Sequence, residues 1–192
     1  MERVLVIRFG SLGDVVLVSA VIEALHRADP STLVTMLTKS EYEPLFRSDP
    51  RVERIVDVSS SDTPHGIAHA AGDGFDAVID LHSTPRSIAV ATLVGARRKV
   101  RVRKHSLARR IMIWSRNRFR RRFDTLGSYL DTLRPLGIRD RPMPRLFTAY
   151  GPLGSAEALL APVRGDGGRI VGLAPGARHP SKRWPSPSWA RL

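Results

Sequence analysis

Short apolar runs separated by polar segments dominate the pattern of the first hundred residues. The runs are rich in Val, Leu and Ile and show little alternation, which is typical of parallel strands buried on both faces. The shorter run Lys99–Val102 predicts one further strand. The predicted buried strands are Arg3–Arg8, Leu33–Leu37, Arg54–Val58 and Phe75–Leu81.

Segments between these runs carry apolar residues at helical spacing. Asp14–Ala28 repeats them every three or four positions, and Pro30 follows as a stop signal. Strands that alternate with helices through short loops predict an α/β domain, a Rossmann-like parallel sheet flanked by helices. The further predicted helices are Glu41–Phe46, Pro64–Ala71, Ser87–Val94 and Thr125–Leu136, the last ended by Gly137.

The pattern changes after residue 141. Residues 142–168 contain four prolines and several glycines, which predicts a connector with a possible helix at Ser155–Leu160. Arg169–Ala174 predicts a fresh buried strand, and a helix is expected to start near Pro185. We therefore expect a first domain with its connector at 1–165 and the start of a truncated second domain at 166–192.

Composition narrows the possible chemistry. The chain has no cysteine, which excludes disulfides and thiolate nucleophiles and fits a reducing compartment. No His/Asp cluster has the spacing of metal ligands, so no metal is expected. The amino terminus lacks a signal-peptide pattern, and no apolar stretch approaches the roughly 18 residues of a membrane span. The expected location is therefore the cytoplasm.

The positive charge is confined to one segment. The net charge is +13, and residues 97–122 hold 13 Arg or Lys and no acidic residue, so the remaining chain is electrically balanced. A block of this kind predicts an anionic partner. Three interpretations stay open: a solvated face, phosphate contacts to nucleic acid without any recognised nucleic-acid motif, or contact with another anionic ligand or surface.

The loop after the first strand is the first candidate site. Gly10-Ser11-Leu12-Gly13-Asp14 joins a strand to a helix, and glycines there would let a ligand approach free backbone N–H groups. Asp14 has two interpretations. It either complements the helix dipole, or it acts as a base at the carboxyl end of the first strand, where α/β sheets bind ligands.

Four motifs occur in an order similar to that of family 9 glycosyltransferases, the lipopolysaccharide heptosyltransferase family. The opening VLVIRFGSLGDVVL resembles the family's first strand, loop and helix. The other matching segments are Phe75–His82, Tyr129–Ile138, and Ile170–Ala177 followed by Ser181–Pro185. The resemblance spans the chain, yet the region of the family's later D-T-G-type motif is absent. It implies the amino-terminal half of a GT-B glycosyltransferase with its second domain truncated.

The resemblance also implies the chemistry. Family members transfer a sugar with inversion from a nucleotide sugar, usually ADP-heptose, to the lipopolysaccharide inner core, lipid A–Kdo. The aspartate that matches Asp14 is then the general base. Lys182 would stabilise the departing diphosphate, although a merely solvated lysine is the alternative. Gly176, Ala177 and Gly13 would approach the donor phosphates. No cofactor beyond the nucleotide sugar is implied.

The same resemblance favours acceptor and membrane-surface binding for the basic segment, with peripheral contact on the inner face of an anionic membrane. His82 is interpreted as a packing residue and left out of the site. Three classes remain: a fragment of an enzyme, an inactive remnant that binds acceptor or membrane, and a basic nucleic-acid-binding α/β module. The oligomeric state is not predicted. The predicted acceptor-binding residues are Gly10, Ser11, Arg86, Arg97, Arg101, Arg103 and Lys104.

Overall fold

Five parallel strands form one sheet in the order β3-β2-β1-β4-β5. The computed structural model describes residues 1–61, 63–103, 124–147, 158, 160–163, 171–177 and 182–189. All four strand pairs are parallel, which confirms the predicted Rossmann-like α/β fold. The five predicted strands are confirmed with small shifts at their ends. The strands are β1 (Arg3–Ile7), β2 (Leu33–Thr38), β3 (Val52–Asp57), β4 (Phe75–Asp80) and β5 (Ala96–Arg101).

The crossover helices lie between these strands. They are α1 (Leu12–Ala28), α2 (Pro64–Ala71) and α3 (Pro85–Leu93), with a 3-10 helix at Ser40–Leu45. Helix α2 has its predicted bounds, and α3 begins two residues earlier than expected. Thr84 accepts from the backbone of Ser87 and the Ser87 hydroxyl accepts in return, which forms a capping box at that earlier start.

The predicted helix Thr125–Leu136 is wrong in its second half. Helix α4 covers Thr125–Asp131 only, and a 3-10 turn at Arg134–Leu136 follows it. Pro135 explains the break, because its ring lacks an N–H and would clash with the carbonyl four residues earlier. Gly137 at φ 88° then ends the segment in the left-handed region, as expected of a terminating glycine.

Alternation along the strands divides the core between the two faces of the sheet. Val4 and Val6 of β1 pack with α1 and α4, whereas Leu5 and Ile7 pack with α2 and α3. Each face is therefore covered by two helices, and the central strand is buried on both sides. This arrangement leaves the loops at the carboxyl ends of β1 and β4 free to build a site.

Internal contacts divide the chain into Met1–Ala149 and Tyr150–Leu192. Residues 171–177 form no strand, and Val171 and Leu173 are 78% and 62% exposed, so the prediction of a buried strand over Arg169–Ala174 is wrong where the structure describes it. A strand needs a paired neighbour, and the described residues of this unit supply none. A short helix, α5 (Ser186–Trp189), follows Pro185 as expected.

Two other predictions in this region stay predictions. Residues 164–170, which include the predicted domain boundary, lie outside the described residues. The possible helix Ser155–Leu160 also lies mostly outside them. Among the helices that the structure does describe, none has both the length and the apolar character needed to span a bilayer.

Candidate functional site

Strands β2 and β3 lie on one side of β1 in the sheet, whereas β4 and β5 lie on its other side. The loops that follow β1 and β4 therefore diverge at this point. In open parallel sheets, such a switch point forms a crevice at the carboxyl ends of the strands. A cleft of about 440 Å³ occupies this position. Its lining residues are Arg8, Phe9, Gly10, Ser11, Lys39, His82, Thr84 and Arg86. We call this the switch-point cleft.

Arg8, directly after β1, makes three side-chain contacts beside the cleft. Its Nε donates to the carbonyl of Gly10 at 2.9 Å, and its Nη1 donates to the carbonyl of Leu81 at 2.9 Å. Its Nη2 forms an ion pair with Oδ2 of Asp14. The Arg8 side chain is only 10% exposed, whereas that of Asp14 is 32% exposed. The carboxylate is therefore held from the protein side and reachable from the solvent side.

A buried tyrosine from α4 completes the surroundings of this ion pair. The guanidinium carbon of Arg8 lies 5.8 Å from the ring centroid of Tyr129, within cation–π range. Burial raises the pKa of Tyr129 to about 12, an effect that the Arg8 charge opposes and the Asp14 charge reinforces. The phenol is therefore neutral near pH 7 and adds no charge of its own beside the ion pair.

The loop between β1 and α1 has an uncommon backbone. Ser11 is the N-cap of α1 at φ 67°, and its side chain makes no capping hydrogen bond. Its carbonyl accepts from the N–H of Val15 at 2.9 Å. A Cβ on Gly13 would meet nothing within 4 Å, so the first turn of α1 is open on that side. The predicted binding roles of Gly10, Ser11 and Gly13 stay predictions.

Asp80, at the end of β4, organises the other loop. Its side chain is 1% exposed and accepts from the N–H groups of His82 and Ser83 at 2.9 and 2.8 Å, and from the Ser87 hydroxyl at 3.1 Å. Ser83 takes φ 50° in this tight loop. The carboxylate thereby fixes the backbone that carries His82 and Thr84 into the cleft.

His82 is a cleft residue that the sequence interpretation left out. Its ring lies 4.8 Å from that of Phe9, centroid to centroid, and both rings line the cleft. The sequence could have indicated His82 as a site residue, because it follows the predicted strand Phe75–Leu81 and therefore lies at the same edge of the sheet as Asp14. Lys39 and Arg8 were missed for a different reason, since a single basic residue after a strand is common and carries little information alone.

The predicted basic acceptor residues lie at different places. Arg86 lines the cleft and donates from Nη2 to the carbonyl of Ser61 at 2.8 Å. Arg101 ends β5 opposite Asp80, with its Nε 3.5 Å from Oδ2 of that carboxylate. Arg103 is exposed just beyond this strand end, and Lys104 lies outside the described residues. Arg86 is thus at the cleft, and Arg101 lies at the same edge of the sheet.

The structure does not bring Arg97 to the cleft. Arg97 is the second residue of β5, is 86% exposed, and pairs with Asp76 at 3.5 Å. It lines a separate polar depression with Met1 and Glu2, at the amino-terminal edge of the sheet. Four residues of extended strand span about 13 Å, which separates Arg97 from Arg101. The expectation that Arg97 lies near the cleft is therefore wrong.

The predicted donor-phosphate residues lie in the second unit. Arg183 donates from Nε to the carbonyl of Ala177 at 2.7 Å, which joins the segment 171–177 to the segment 182–189. Lys182 is exposed, and a Cβ on Gly176 would meet nothing within 4 Å. The rings of Trp184 and Trp189 pack edge to face with centroids 5.0 Å apart. The phosphate roles stay predictions.

No described group of three or more His, Asp or Glu side chains has the arrangement of a metal site. No family model matches the chain, and no curated protein matches it. Solved structures do match. A family 9 glycosyl transferase from Veillonella parvula DSM 2008 aligns with a TM-score of 0.73 at 18% identity, covering 99% of this chain and 58% of that one.

Two E. coli structures are also similar. Heptosyltransferase WaaC with ADP-2-deoxy-2-fluoro heptose has a TM-score of 0.64 at 18% identity, covering 98% of this chain and 64% of that one. ADP-heptose lps heptosyltransferase II has a TM-score of 0.62 at 17% identity, with 98% and 59% covered. At this identity the likeness establishes the fold. The chain spans 58 to 64% of the length of these three proteins.

Proposed function

We propose that this chain is the acceptor-side part of an inverting glycosyltransferase that transfers heptose from ADP-heptose to the lipopolysaccharide inner core. The observation that carries the proposal is the Asp14 carboxylate, held by Arg8 beside the switch-point cleft and 32% exposed. Similar solved proteins include a heptosyltransferase with an ADP-heptose analogue, which supports the donor assignment. The motif match around Asp14 supports the same role.

The proposed reaction is a single displacement. Asp14 accepts the proton of an acceptor hydroxyl while that oxygen forms a bond to the anomeric carbon of the donor sugar. The bond from the anomeric carbon to the diphosphate breaks, and ADP leaves with the bonding electrons. Lys182 stabilises the negative charge that develops on the leaving phosphate. One displacement inverts the anomeric centre, so the protein needs no nucleophile of its own.

The charge of the cleft supports an anionic acceptor. Among the described residues, its lining includes no carboxylate and, besides Arg8, whose charge is paired with Asp14, the cations Lys39 and Arg86. Arg101 and Arg103 add positive charge at the same edge of the sheet. Arg and Lys contacts of this kind suit the phosphates and acidic sugars of lipid A–Kdo. Peripheral contact with an anionic membrane surface, expected from residues 97–122, is part of this proposal.

The test separates ligand binding from turnover. Calorimetry measures the binding of ADP-heptose and of Kdo–lipid A to the purified chain, and ADP release measures transfer. We expect Asp14→Asn to bind the acceptor within a few-fold of wild type and to lose roughly 10²- to 10⁴-fold in transfer. Lys182→Ala should weaken donor turnover by about 10²-fold. Asp76→Asn, at the opposite edge of the sheet, is the matched control with unchanged transfer.

Each outcome identifies one class. Transfer by Asp14→Asn at the wild-type rate would reject Asp14 as the base. Acceptor binding without donor turnover in the wild type would mark an acceptor-binding remnant. Binding of duplex DNA that falls steeply with salt and ignores Asp14→Asn would instead favour a nucleic-acid-binding module. Binding of neither the donor nor the acceptor would reject the proposed function for this chain.

A further inference from the structure

We infer that Arg8 is the positioning residue of this site: it holds the Asp14 carboxylate and joins the loops after β1 and β4. The catalytic consequence of this inference rests on the proposed function, whereas the contacts of Arg8 do not depend on it. One guanidinium reaches the carboxylate of Asp14, the carbonyl of Gly10 and the carbonyl of Leu81. These three acceptors come from helix α1, the loop before it, and the end of β4.

A guanidinium is the group that this arrangement requires. It presents donors in a rigid planar fork, so it can contact acceptors in several fixed directions at once. A lysine ammonium carries the same charge at a single point and cannot span the three acceptors. With its side chain 10% exposed, Arg8 is also too buried to remain without partners, because a buried charge must be paired and hydrogen-bonded.

The same contacts set the shape of the switch-point cleft. Gly10 and Ser11 line it from the loop after β1, whereas His82 and Thr84 line it from the loop after β4. Arg8 contacts both loops, through the carbonyls of Gly10 and Leu81, at 2.9 Å each. Tyr129, packed beneath the guanidinium at 5.8 Å, limits its movement from the side of α4.

This arrangement leaves Asp14 able to act. Arg8 contacts Oδ2, and about a third of the Asp14 side chain is exposed, so an acceptor hydroxyl can reach the carboxylate. A base that swings by 1 Å loses about 10²-fold in rate, because proton transfer depends on a near-attack geometry. Loss of Arg8 should therefore reduce the turnover rate far more than it weakens acceptor binding.

Transfer by Arg8→Lys and Arg8→Met provides the first test. We expect kcat to fall roughly 10²-fold in both variants, with the acceptor KM within a few-fold of wild type. Arg54→Met is the matched control, because Arg54 also donates to two backbone carbonyls, those of Ala70 and Ala71, away from the cleft. It should keep wild-type kcat. Wild-type kcat in Arg8→Lys would overturn the inference.

A second measurement needs no catalysis. Denaturant unfolding of Arg8→Met, Asp14→Ala and the double variant forms a cycle whose non-additivity reports the direct contact. We expect the unfolding constants to deviate from additivity by roughly five-fold or more. Additive effects would overturn the inference, even if the folded fraction of each variant is lower than that of wild type.

The two measurements also separate this inference from the proposed function. A wild-type chain that transfers no sugar would remove the proposed function, and the coupling between Arg8 and Asp14 would still decide whether Arg8 positions that carboxylate. Strong coupling without turnover would support the positioning role, and absent coupling would reject it. Strong coupling together with a selective loss of kcat would support both conclusions.

Discussion

The tight turns at the two edges of the parallel sheet place different residue types at positive φ. At the amino-terminal edge, Gly72 and Gly74 take positive φ just before β4. At the carboxyl-terminal edge, the positions with positive φ in the loops after β1 and β4 are Ser11 and Ser83. Glycine adopts such a backbone without steric cost, whereas serine does not. Strain is therefore accepted at the edge that carries the switch-point cleft, as at many functional sites.

Charge follows the same division along one strand. Arg97 and Arg101 both belong to β5, and each lies near an aspartate of β4. The side chains of Arg97 and Asp76 are 86% and 25% exposed, whereas those of Arg101 and Asp80 are 45% and 1% exposed. The pair of Arg97 and Asp76, at the amino-terminal edge of the sheet, is a surface ion pair of the kind that contributes little to stability. The carboxylate of Asp80, at the carboxyl-terminal edge of the sheet, is buried and accepts hydrogen bonds from the loop that lines the cleft.

Replacing these two aspartates should have the largest effect and the sharpest contrast. Asp80→Ala leaves two backbone N–H groups and the Ser87 hydroxyl without their acceptor, so we expect a loss of about 3 kcal/mol in unfolding free energy. Asp76→Ala also removes an acceptor, that of the backbone N–H groups of Glu2 and Arg3, but both residues are exposed and water can replace it, so the loss should be smaller. Urea unfolding of both variants measures the difference, and equal losses would contradict the comparison.

Backbone substitutions test the strain directly. Ser83→Gly should stabilise the chain by about 0.5–1 kcal/mol, because the relief at positive φ exceeds the entropy cost of glycine. Gly74→Ala should destabilise by about 1 kcal/mol, since its Cβ would lie 3.2 Å from Nη1 of Arg3 at φ 80°. Thermal unfolding reports both changes. A destabilised Ser83→Gly would show that this backbone carries no strain.

Removing the positive charge of Arg97 or of Arg101, near the two ends of β5, tests which edge of the sheet binds the acceptor. Arg101→Gln should raise the acceptor KM roughly five-fold, since a cation near an anionic surface contributes about 1 kcal/mol. Arg97→Gln should leave KM unchanged, because Arg97 lies at the far edge. Steady-state kinetics at fixed salt compare the two. A larger effect of Arg97→Gln would move the proposed acceptor surface to the amino-terminal edge.

The smallest effect concerns pH at the amino-terminal edge. The Ser31 hydroxyl, followed by the amino group of Met1, lowers the pKa of Asp29 from 3.8 to about 2. A depressed carboxyl pKa adds stability above pH 3.8, and that stability is lost as pH falls through about 2. Asp29→Asn should therefore differ from wild type near pH 5 and converge with it near pH 2. Ser31→Ala should show part of this change. Stability curves of Asp29→Asn and wild type that stay parallel from about pH 5 to about pH 2 would reject the prediction.

The sequence predicted the strands well because their signal is local. Val4 to Ile7 form an apolar run whose pattern requires burial on both faces, and no distant residue is needed to recognise it. The end of α4 was missed although Pro135 was visible, because the apolar spacing on either side of it continued the helical pattern. The buried strand expected at 169–174 failed where it is described, since pairing depends on neighbours that periodicity does not report.

The amino-acid sequence by itself determined the alternation of strands and helices, and it placed Asp14 at the carboxyl end of β1. Only the tertiary structure decided what surrounds that carboxylate. Arg8 contacts Leu81, which is 73 residues away, and His82 meets Phe9 through the pairing of β1 with β4. Spacing along the chain determines which face of an element a residue occupies. Which strands become neighbours is a long-range property, and the packing of the whole sheet determines it.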